Sequence, residues 1–425
     1  MDSMKVHAIT LGCQMSAADG GEMLASLCRR GWERADSPED ADAILLTTCS
    51  VRRHAEQRAL SLIGRLRDWK ARAPGRVLVV AGCVAERMGT SLTRRFPHVD
   101  LAVGARSAAR YADIVAETLG HQGSARPGPD EGGQAVAGLC SFLTVLRGCA
   151  MGCSYCIVPA VRGPESCRPP GEILEEARAR IAGGARELTL LGQRVNAYAW
   201  ESDGARTDFA DLLRLVDRIP GLRRLRFMSP HPALCDGRFA AALRECRTAC
   251  EWVHLPVQSG SDRLLGLMRR GYTRAQFSGT VERLRDAVPR VVLSTDIIVG
   301  FPSETDDEFA QTLALLEDLR PATAFCFKYS AREGTPAAAL PDDVPAGVKE
   351  ERLAALNALV DRLTGEALRS QVGSVVEVLA ETPNFGRTRT GFKVRWVRPA
   401  APGSLVSVRV DGATRRTLLG DSHEP

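Results

Sequence analysis

Short apolar runs alternate with helix-periodic segments along the first part of the chain. The runs VHAITL, AILLTT and VLVVAG are rich in aliphatic and β-branched residues, as buried strands are. Between them, residues 20–31 and 52–73 carry apolar side chains at helical spacing. The β-α-β-α-β order predicts an α/β domain over residues 1–120, with a doubly wound parallel sheet and crossover helices.

The pattern stops at residues 121–138, which are rich in Gly, Pro and polar residues and predict a linker. Strand-like runs then resume with helical patterns between most of them. This recurrence predicts a full or partial β/α barrel over residues 139–363, with its chemistry at the carboxyl ends of the strands. The runs are FLTVLRGC, ELTLLGQ, LRRLRFMS, WVHLPVQS, VVLSTDIIVGF and TAFCFKYS.

Residues 364–425 predict a small antiparallel β-barrel, because short alternating runs are separated by turn residues. In the run KVRW, Lys393 and Arg395 alternate with Val394 and Trp396, which places both charges on one face of a strand. Residues 387–416 hold eight Lys or Arg against one Asp, a local charge of +7 that exceeds the +5 of the whole chain. A polyphosphate backbone suits this face; a basic solvated face without a ligand is the alternative.

The thirteen cysteines are the unusual feature of the composition. The amino terminus lacks the features of a signal peptide, and no apolar run reaches the roughly 18 residues that a membrane span needs. We therefore expect a cytoplasmic protein with no membrane partner. Disulfides are rare in a reducing compartment and an odd number of cysteines cannot all pair, so metal or thiolate chemistry is the leading use for some of them.

Three cysteines, Cys13, Cys49 and Cys83, each end one of the first three strand runs. The carboxyl ends of parallel strands lie along one edge of a sheet, where such folds bind ligands. We therefore expect the three thiols to converge. The alternative is that each is a small buried hydrophobic residue, as isolated cysteines at strand ends usually are.

Three more cysteines, Cys149, Cys153 and Cys156, form a C-x3-C-x2-C loop after the first strand of the predicted barrel. Structural zinc takes four protein ligands, whereas three thiolates can hold a cubane iron-sulfur cluster and leave its fourth iron open. An open iron can bind a substrate. Cys140 or Cys167 could instead complete a four-cysteine site.

This pattern resembles that of the radical S-adenosylmethionine (SAM) enzymes, and the chain resembles their methylthiotransferase branch over essentially its whole length. The ordered blocks are similar to those of the tRNA-2-methylthio-N6-dimethylallyladenosine synthases, and the basic segment at the carboxyl end resembles the RNA-binding TRAM domain. The blocks are GCQM, TTCSVRRHAE, GCSYCIVPAVRG, LLGQRVNAY, HLPVQSGSD, MRRGYTR, DIIVGFPSET and YSAREGTP.

The resemblance implies that the protein is a metal-dependent transferase that acts in tRNA processing and carries two [4Fe-4S] clusters. Cys149, Cys153 and Cys156 would hold the cluster that cleaves SAM to a 5′-deoxyadenosyl radical, and Cys13, Cys49 and Cys83 would hold the cluster that carries the inserted sulfur. One SAM would supply the methyl group and another the radical. A low-potential electron donor and a sulfur source are further implied partners. Such chemistry suits an aromatic C–H bond, which general acid-base catalysis does not activate.

The resemblance also places SAM contacts at several strand ends. Gly300 and Glu304 have an alternative role in a turn and a helix cap, since an acidic residue favours a helix amino terminus. His231, in a strand-end turn with Ser229 and Pro230, is either a functional residue or a hydrogen-bonded scaffold residue. The assigned SAM-binding residues are Gly192, Gln193, Gln258, Ser259, Asp296, Gly300 and Glu304, and the assigned RNA-binding residues are Arg387, Arg389, Lys393, Arg395, Arg415 and Arg416.

The implied reaction is methylthiolation of C2 of N6-dimethylallyladenosine at position 37, in the anticodon loop of tRNA. Ser16, Thr47 and Ala160 depart from the family pattern and bear mainly on the shape of the second site. Two alternatives stay open. One is a sister methylthiotransferase that acts on another tRNA adenosine or on an aspartate of a ribosomal protein. The other is a non-catalytic metal-containing RNA-binding protein.

Overall fold

The computed structural model describes residues 3–119, 138–202 and 204–422, so the predicted linker lies outside the described residues apart from Gly138. The chain divides into two compact units. The described residues of the first unit are 3–119, 147–150 and 156–166, and those of the second are 138–146, 151–155 and 167–422, without residue 203.

The first unit is built on a five-stranded, fully parallel sheet with the order β2-β1-β3-β4-β5. Its strands are β1 (Lys5–Leu11), β2 (Glu33–Arg34), β3 (Ala43–Thr48), β4 (Val77–Gly82) and β5 (Leu101–Gly104). Its helices are α1 (Gln14–Cys28), α2 (Arg53–Ala71), α3 (Cys83–Met88), α4 (Thr90–Arg95), α5 (Tyr111–Leu119) and α6 (Val158–Arg162), with a 3-10 helix at Ala105–Arg110.

The sheet confirms the predicted doubly wound α/β domain. All six residues of β3 are buried, as expected for a central parallel strand covered on both faces. The two strands absent from the sequence prediction, β2 and β5, lie at the edges of the sheet. They are short, which leaves little hydrophobic pattern to detect.

The second unit contains a six-stranded partial β/α barrel, which confirms the central prediction. Two parallel three-stranded sheets, in the orders β6-β9-β12 and β13-β14-β15, are joined by a parallel bridge between Leu225 and Ala249. The six strands are β6 (Cys140–Thr144), β9 (Glu187–Leu191), β12 (Arg224–Phe227), β13 (Trp252–His254), β14 (Val292–Val299) and β15 (Thr323–Lys328). The intervening short strands are β7 (Leu146–Arg147), β8 (Ser166–Cys167), β10 (Ala199–Ser202) and β11 (Ala205–Asp208).

Helices surround these strands and bury a large apolar core that includes Leu190, Leu225 and Ile297. Several helices begin at well-formed caps; Thr305, for example, caps α12 in a capping box with Glu308. The helices are α7 (Pro170–Ala182), α8 (Phe209–Asp217), α9 (Gly237–Glu245), α10 (Asp262–Leu267), α11 (Arg274–Ala287), α12 (Asp306–Leu319) and α13 (Ala346–Arg369), with 3-10 turns at Val195–Ala197, Pro232–Leu234 and Pro336–Ala339.

The carboxyl-terminal segment forms a closed five-stranded barrel in the order β16-β17-β18-β20-β19, consistent with a TRAM domain. Its β18–β20 pair is parallel, which corrects the expectation of an entirely antiparallel barrel. The predicted domain boundary at residue 364 lies within α13, and the first barrel strand begins at Val375. The strands are β16 (Val375–Thr382), β17 (Phe385–Thr388), β18 (Lys393–Trp396), β19 (Leu405–Ala413) and β20 (Leu418–Ser422).

Buried arginines of β12 attach this small barrel to the partial barrel. Arg224, whose side chain is 0% exposed, donates to the carbonyl oxygen of Arg387 at 2.5 Å. Arg226 donates to the carbonyl oxygens of Thr388 and Arg389 at 2.8 and 2.9 Å. Backbone acceptors of the small barrel thus receive hydrogen bonds from buried charged side chains of the partial barrel.

No helix in the described parts of the chain is long and apolar enough to cross a membrane.

Candidate functional site

The strands that carry Cys13, Cys49 and Cys83 are adjacent, and their ends are in register. Leu11 pairs with Thr48, which in turn pairs with Gly82. Cys49 and Cys83 follow directly on Thr48 and Gly82. The sheet therefore brings the three cysteines to one edge, as the sequence predicted.

The loops at this edge require small residues. A Cβ added at Gly12 would lie 2.5 Å from Cβ of Cys49, and one at Gly82 would lie 2.5 Å from the carbonyl oxygen of Thr48. Gly82 also has a φ of +99°, a conformation that side chains rarely adopt. The glycines beside Cys13 and Cys83 are thus required by close packing and backbone conformation.

The three thiols interact electrostatically. The pKa of Cys13 is lowered to about 5, because hydrogen bonds with Cys49 and Ser16 favour the thiolate more than desolvation of the sulfur disfavours it. Cys49 and Cys83 are buried, whereas Cys13 is exposed. The thiol pKa of Cys49 is raised, mainly by its hydrogen bond with Cys13 and by burial. Cysteine sulfurs brought together in this way are the donor set that a soft metal centre takes.

Two of the residues that depart from the family pattern support this edge. The Ser16 hydroxyl lies 3.6 Å from the Cys13 sulfur and is 1% exposed. The Thr47 hydroxyl is hydrogen-bonded to Thr10 at 2.9 Å. The third, Ala160, is exposed and accepts a hydrogen bond from Arg106 through its carbonyl oxygen at 2.5 Å.

Within the first unit, the start of the C-x3-C-x2-C loop is tightly turned. Gly148 has a φ of +79°, and a Cβ there would lie 1.9 Å from the carbonyl oxygen of Pro164. The Cys149 amide donates to the carbonyl oxygen of Gly163 at 3.2 Å. Cys149 and Cys156 belong to this unit, and Cys153 belongs to the second.

Within the second unit, Cys153 is 8% exposed and accepts a hydrogen bond from Arg270 at 3.4 Å. Arg270 also donates to Tyr272 at 3.0 Å and to the carbonyl oxygen of Pro256 at 2.8 Å. Burial lowers the pKa of Arg270, but Tyr155, Tyr272 and Cys153 raise it above its ordinary value, so the group stays charged. Arg270 is part of the motif MRRGYTR, to which the sequence alone assigns no role. Its position beside a motif cysteine depends on the tertiary structure.

In the described part of the chain, the cysteine side chains are not arranged as the ligands of a metal ion. Among the described residues, no group of three or more His, Cys, Asp or Glu side chains is arranged to hold a metal ion. The donor chemistry and the convergence at the sheet edge fit thiolate ligation of a cluster by the first trio, and the three thiols of one short loop supply the same donors in the second.

Two predicted SAM contacts, Gln193 and Gln258, lie past the carboxyl ends of β9 and β13, whereas Asp296 lies within β14. Gln193 follows β9, and its Oε1 is buried without a hydrogen-bond partner among the described residues. Gln258 has a φ of +81°, strained for a residue other than glycine, and its backbone bonds to Asp296 and Ile298 at 2.9 Å each. The Asp296 carboxylate is 23% exposed and lies 3.5 Å from Nε2 of His254. Strain and an unsatisfied acceptor are both features of ligand sites.

The Glu304 carboxylate is held by a hydrogen bond and an ion pair within the protein. Its carboxylate is 1% exposed, accepts from the Gly300 amide at 2.5 Å, and pairs with Arg352 at 2.9 Å. The cap of α12 is Thr305, which overturns the helix-cap alternative for Glu304. Glu304 therefore fixes the turn at Gly300, where an added Cβ would lie 2.3 Å from the Lys349 side chain.

The remaining strand-end residues have different surroundings. Ser259 is 0% exposed, and its hydroxyl lies 3.4 Å from that of Thr312. An added Cβ at Gly192 would lie 3.1 Å from Cα of Val195, so this turn admits little more than glycine. These two residues shape the strand ends in the structure.

His231 is a buried polar side chain whose ring packs edge-on against that of Tyr272, at a centroid distance of 5.6 Å. It is 5% exposed, and within the described residues neither ring nitrogen is hydrogen-bonded. Asn196 fixes its backbone on both sides, at 2.7 and 3.0 Å. Burial, with Arg270 and Arg194, lowers the pKa of His231 to about 3, so the ring is neutral. The scaffold alternative, which requires a hydrogen-bonded ring, is not supported.

The six basic residues assigned to RNA fall into two groups. Arg389 pairs with Glu251 at 2.9 Å, while Arg387 and Arg415 pair with Glu381 and Asp361. Lys393, Arg395 and Arg416 are exposed and make no ion pair in the part of the chain that is described. The observed burial of β18 alternates as predicted, with Lys393 and Arg395 outward and Val394 and Trp396 inward.

Two family models match the chain. Residues 5–104 match the model described as Uncharacterized protein family UPF0004, and residues 143–316 match the Radical SAM superfamily. The chain is 39% identical over 432 residues to the tRNA-2-methylthio-N(6)-dimethylallyladenosine synthase of Syntrophotalea carbinolica, covering 97% of this chain and 98% of that one. This chain belongs to the tRNA-2-methylthio-N(6)-dimethylallyladenosine synthase family. The synthase of the same name from Sorangium cellulosum is 41% identical over 449 residues, covering 97% and 88%.

Solved structures share the fold of this synthase-family chain. The radical SAM methyltransferase TsrM from Kitasatospora setae, with cobalamin and a [4Fe-4S] cluster bound, matches with a TM-score of 0.58 at 15% identity, over 79% of this chain and 77% of that one. The cobalamin-dependent SAM radical enzyme OxsB matches with a TM-score of 0.54 at 11% identity, over 85% and 56%. At these identities the likeness shows the fold alone.

Proposed function

We propose that this chain replaces the C2 hydrogen of N6-dimethylallyladenosine at position 37 of tRNA with a methylthio group. The observation that carries the proposal is near-full-length identity of 39% to a synthase named for this product, together with the C-x3-C-x2-C loop after the first strand of a partial β/α barrel. Because the substrate is tRNA, we place the reaction in the cytoplasm.

The proposed cofactors are two [4Fe-4S] clusters and SAM. Cys149, Cys153 and Cys156 would hold the cluster that, when loaded, supplies the reductive cleavage of SAM. The N-terminal trio would hold the second cluster. The structure of TsrM holds a [4Fe-4S] cluster and that of OxsB holds SAM, and these neighbours support the first assignment through their fold only.

The chain's own residues would bind and orient SAM at the carboxyl ends of the strands. The free Oε1 of Gln193 is an acceptor suited to the amino group of SAM, and the strained Gln258 fixes a turn beside Asp296. Glu304 stabilises the Gly300 turn by accepting a hydrogen bond from the Gly300 amide, and Arg352 stabilises Glu304 through an ion pair. A reductant of low potential and a sulfur source complete the reaction.

RNA recognition is assigned to the outer face of the small barrel, chiefly Lys393, Arg395 and Arg416. The prenyl group of the substrate adds apolar area worth about 0.8 kcal/mol per buried CH2-sized unit, enough over five carbons to separate prenylated from plain adenosine. Selection of the modified base by burial would thus complement sequence-independent binding of phosphate.

Mass spectrometry of tRNA nucleosides from cells that lack this gene tests the proposal. We expect loss of 2-methylthio-N6-dimethylallyladenosine and accumulation of the unthiolated prenyl nucleoside. Unchanged tRNA with a missing methylthio group on a ribosomal protein would assign the chain to the sister reaction. Purified protein with zinc and no iron would instead indicate a non-catalytic RNA-binding protein.

A further inference from the structure

A buried arginine lies against the N-terminal cysteine trio. Arg162 is the last residue of α6, which begins two residues after Cys156, and its side chain is 4% exposed. Ile157 and Val161 pack with Cys83 in a small buried cluster. Apolar packing therefore seats α6 on the strand end that carries Cys83 and delivers Arg162 to the trio.

Carboxylates hold this arginine from the other side. Its guanidinium donates to Oδ2 of Asp19 at 2.7 Å, and the Asp19 side chain is 2% exposed. Asp19 also pairs with Arg147, which bonds Glu22 at 2.5 Å as well. A guanidinium has five N–H donors, so the bond to Asp19 leaves others for the sulfur atoms.

Arg162 interacts electrostatically with two thiols of the trio, those of Cys83 and Cys13. A guanidinium stays protonated in proteins. A buried charge needs partners, and Asp19 is the anionic partner here. Apolar packing alone would not require a charged residue at this strand end.

We infer that Arg162, held by Asp19 beside the strand end that carries Cys83, is a positioning residue for a cluster on Cys13, Cys49 and Cys83. The inference rests on the proposed second cluster. Thiolate-ligated clusters are anionic, and hydrogen bonds and charges around their sulfur atoms set both reduction potential and cluster retention. Arg162 would make the cluster easier to reduce and slower to lose iron.

The test uses the full chain with Cys149, Cys153 and Cys156 changed to Ala, so that only one cluster remains. EPR-monitored redox titration gives its potential, and iron release to a chelator gives its retention. In this background Arg162→Gln is expected to shift the potential to more negative values and speed iron loss, because removal of a cation disfavours the added electron. Arg162→Lys keeps the charge and loses the planar fork, so a smaller shift is expected.

The matched control is Arg106→Gln. The Arg106 side chain is 51% exposed, pairs with Glu86 at 3.5 Å and donates to the carbonyl oxygen of Ala160 in α6. Because this charge is exposed to solvent, its loss should leave the potential unchanged. Equal potentials for Arg162→Gln and Arg106→Gln would overturn the inference. If Arg162→Gln does not fold, Arg162→Lys decides in the same way. Absence of iron from the triple-alanine background would defeat the two-cluster proposal and this inference together, whereas iron with an unmoved potential defeats this inference alone.

Discussion

At the scale of single residues, buried charge explains the turn after β14. Glu304 and Arg352 are 5% and 6% exposed and form an ion pair at 2.9 Å. Burial raises the pKa of the Glu304 carboxyl, while the Gly300 amide and Arg352 act in the opposite direction. This ion pair fixes the turn at Gly300, at the proposed SAM site. Its two members, Glu304 and Arg352, lie 48 positions apart in the chain.

The substitution Arg352→Met is predicted to destabilise the second unit by about 3–5 kcal/mol, because it leaves a buried carboxylate without a counterion. Since the pKa of Glu304 is raised in the folded state, folding takes up a proton between the unfolded and folded pKa values, and stability falls as the pH rises through that window. The loss should therefore be larger at pH 8 than at pH 5. Urea unfolding at both pH values measures it.

The double variant Arg352→Met with Glu304→Gln is the control for this effect. It has no ionisable group at position 304, so the extra pH dependence should disappear. An equal loss at both pH values in Arg352→Met alone would show that the carboxylate is not the cause.

At the scale of elements, the strand β18 separates two uses of basic residues. Lys393 and Arg395 point outward, whereas Arg389, in the turn after β17, is tied to Glu251 and to the carbonyl oxygen of Ala249. The sequence shows one basic segment; the barrel divides it into a free face and a structural contact. Deletion of the barrel would also strip the buried Arg224 and Arg226 of their acceptors, so point substitutions test RNA binding more cleanly than truncation.

Changing Lys393 and Arg395 to Ala should weaken tRNA binding and reduce the slope of log K against log salt by about 1.4–1.8, which is two phosphate contacts. Filter binding at several salt concentrations measures this slope. The control Arg389→Ala should lower thermal stability with little change in slope. If only Arg389→Ala lowered the slope, the RNA contact would lie on the side of the barrel that carries Arg389.

At the scale of the whole molecule, the first cysteine trio and its supporting residues lie within one compact unit. Cys13, Cys49 and Cys83 are held by a parallel sheet whose strands do not depend on Cys153 or the partial barrel for pairing. Loss of the other trio should therefore leave this site intact.

Replacement of Cys149, Cys153 and Cys156 by Ala is expected to abolish SAM cleavage and to leave about half the iron, near four atoms per chain if each site holds a [4Fe-4S] cluster. Iron and sulfide analysis with circular dichroism measures both the content and the fold. A folded variant without iron would contradict two independent sites.

Local pattern was enough to identify most of the architecture. The runs that became β3, β4 and β9 are mostly apolar, because strands buried on both faces admit few polar residues. The run of β12 instead alternates arginines with apolar residues. The alternation in β18 likewise follows from the two-residue period of a strand. Edge strands β2 and β5 were missed because short strands leave little pattern.

The sequence alone thus determined the order of the elements, the parallel sheet, the two cysteine trios and the family, since each depends on residue type and spacing along the chain. Only the tertiary structure decided which charges meet. Arg162 with Asp19, Glu304 with Arg352, and Arg389 with Glu251 join residues 48 to 143 positions apart, and the pairing of such residues depends on how strands and helices pack rather than on any local period. The same packing left His231 and Gln193 buried with unpartnered polar atoms, a property of the three-dimensional surroundings that no sequence pattern carries.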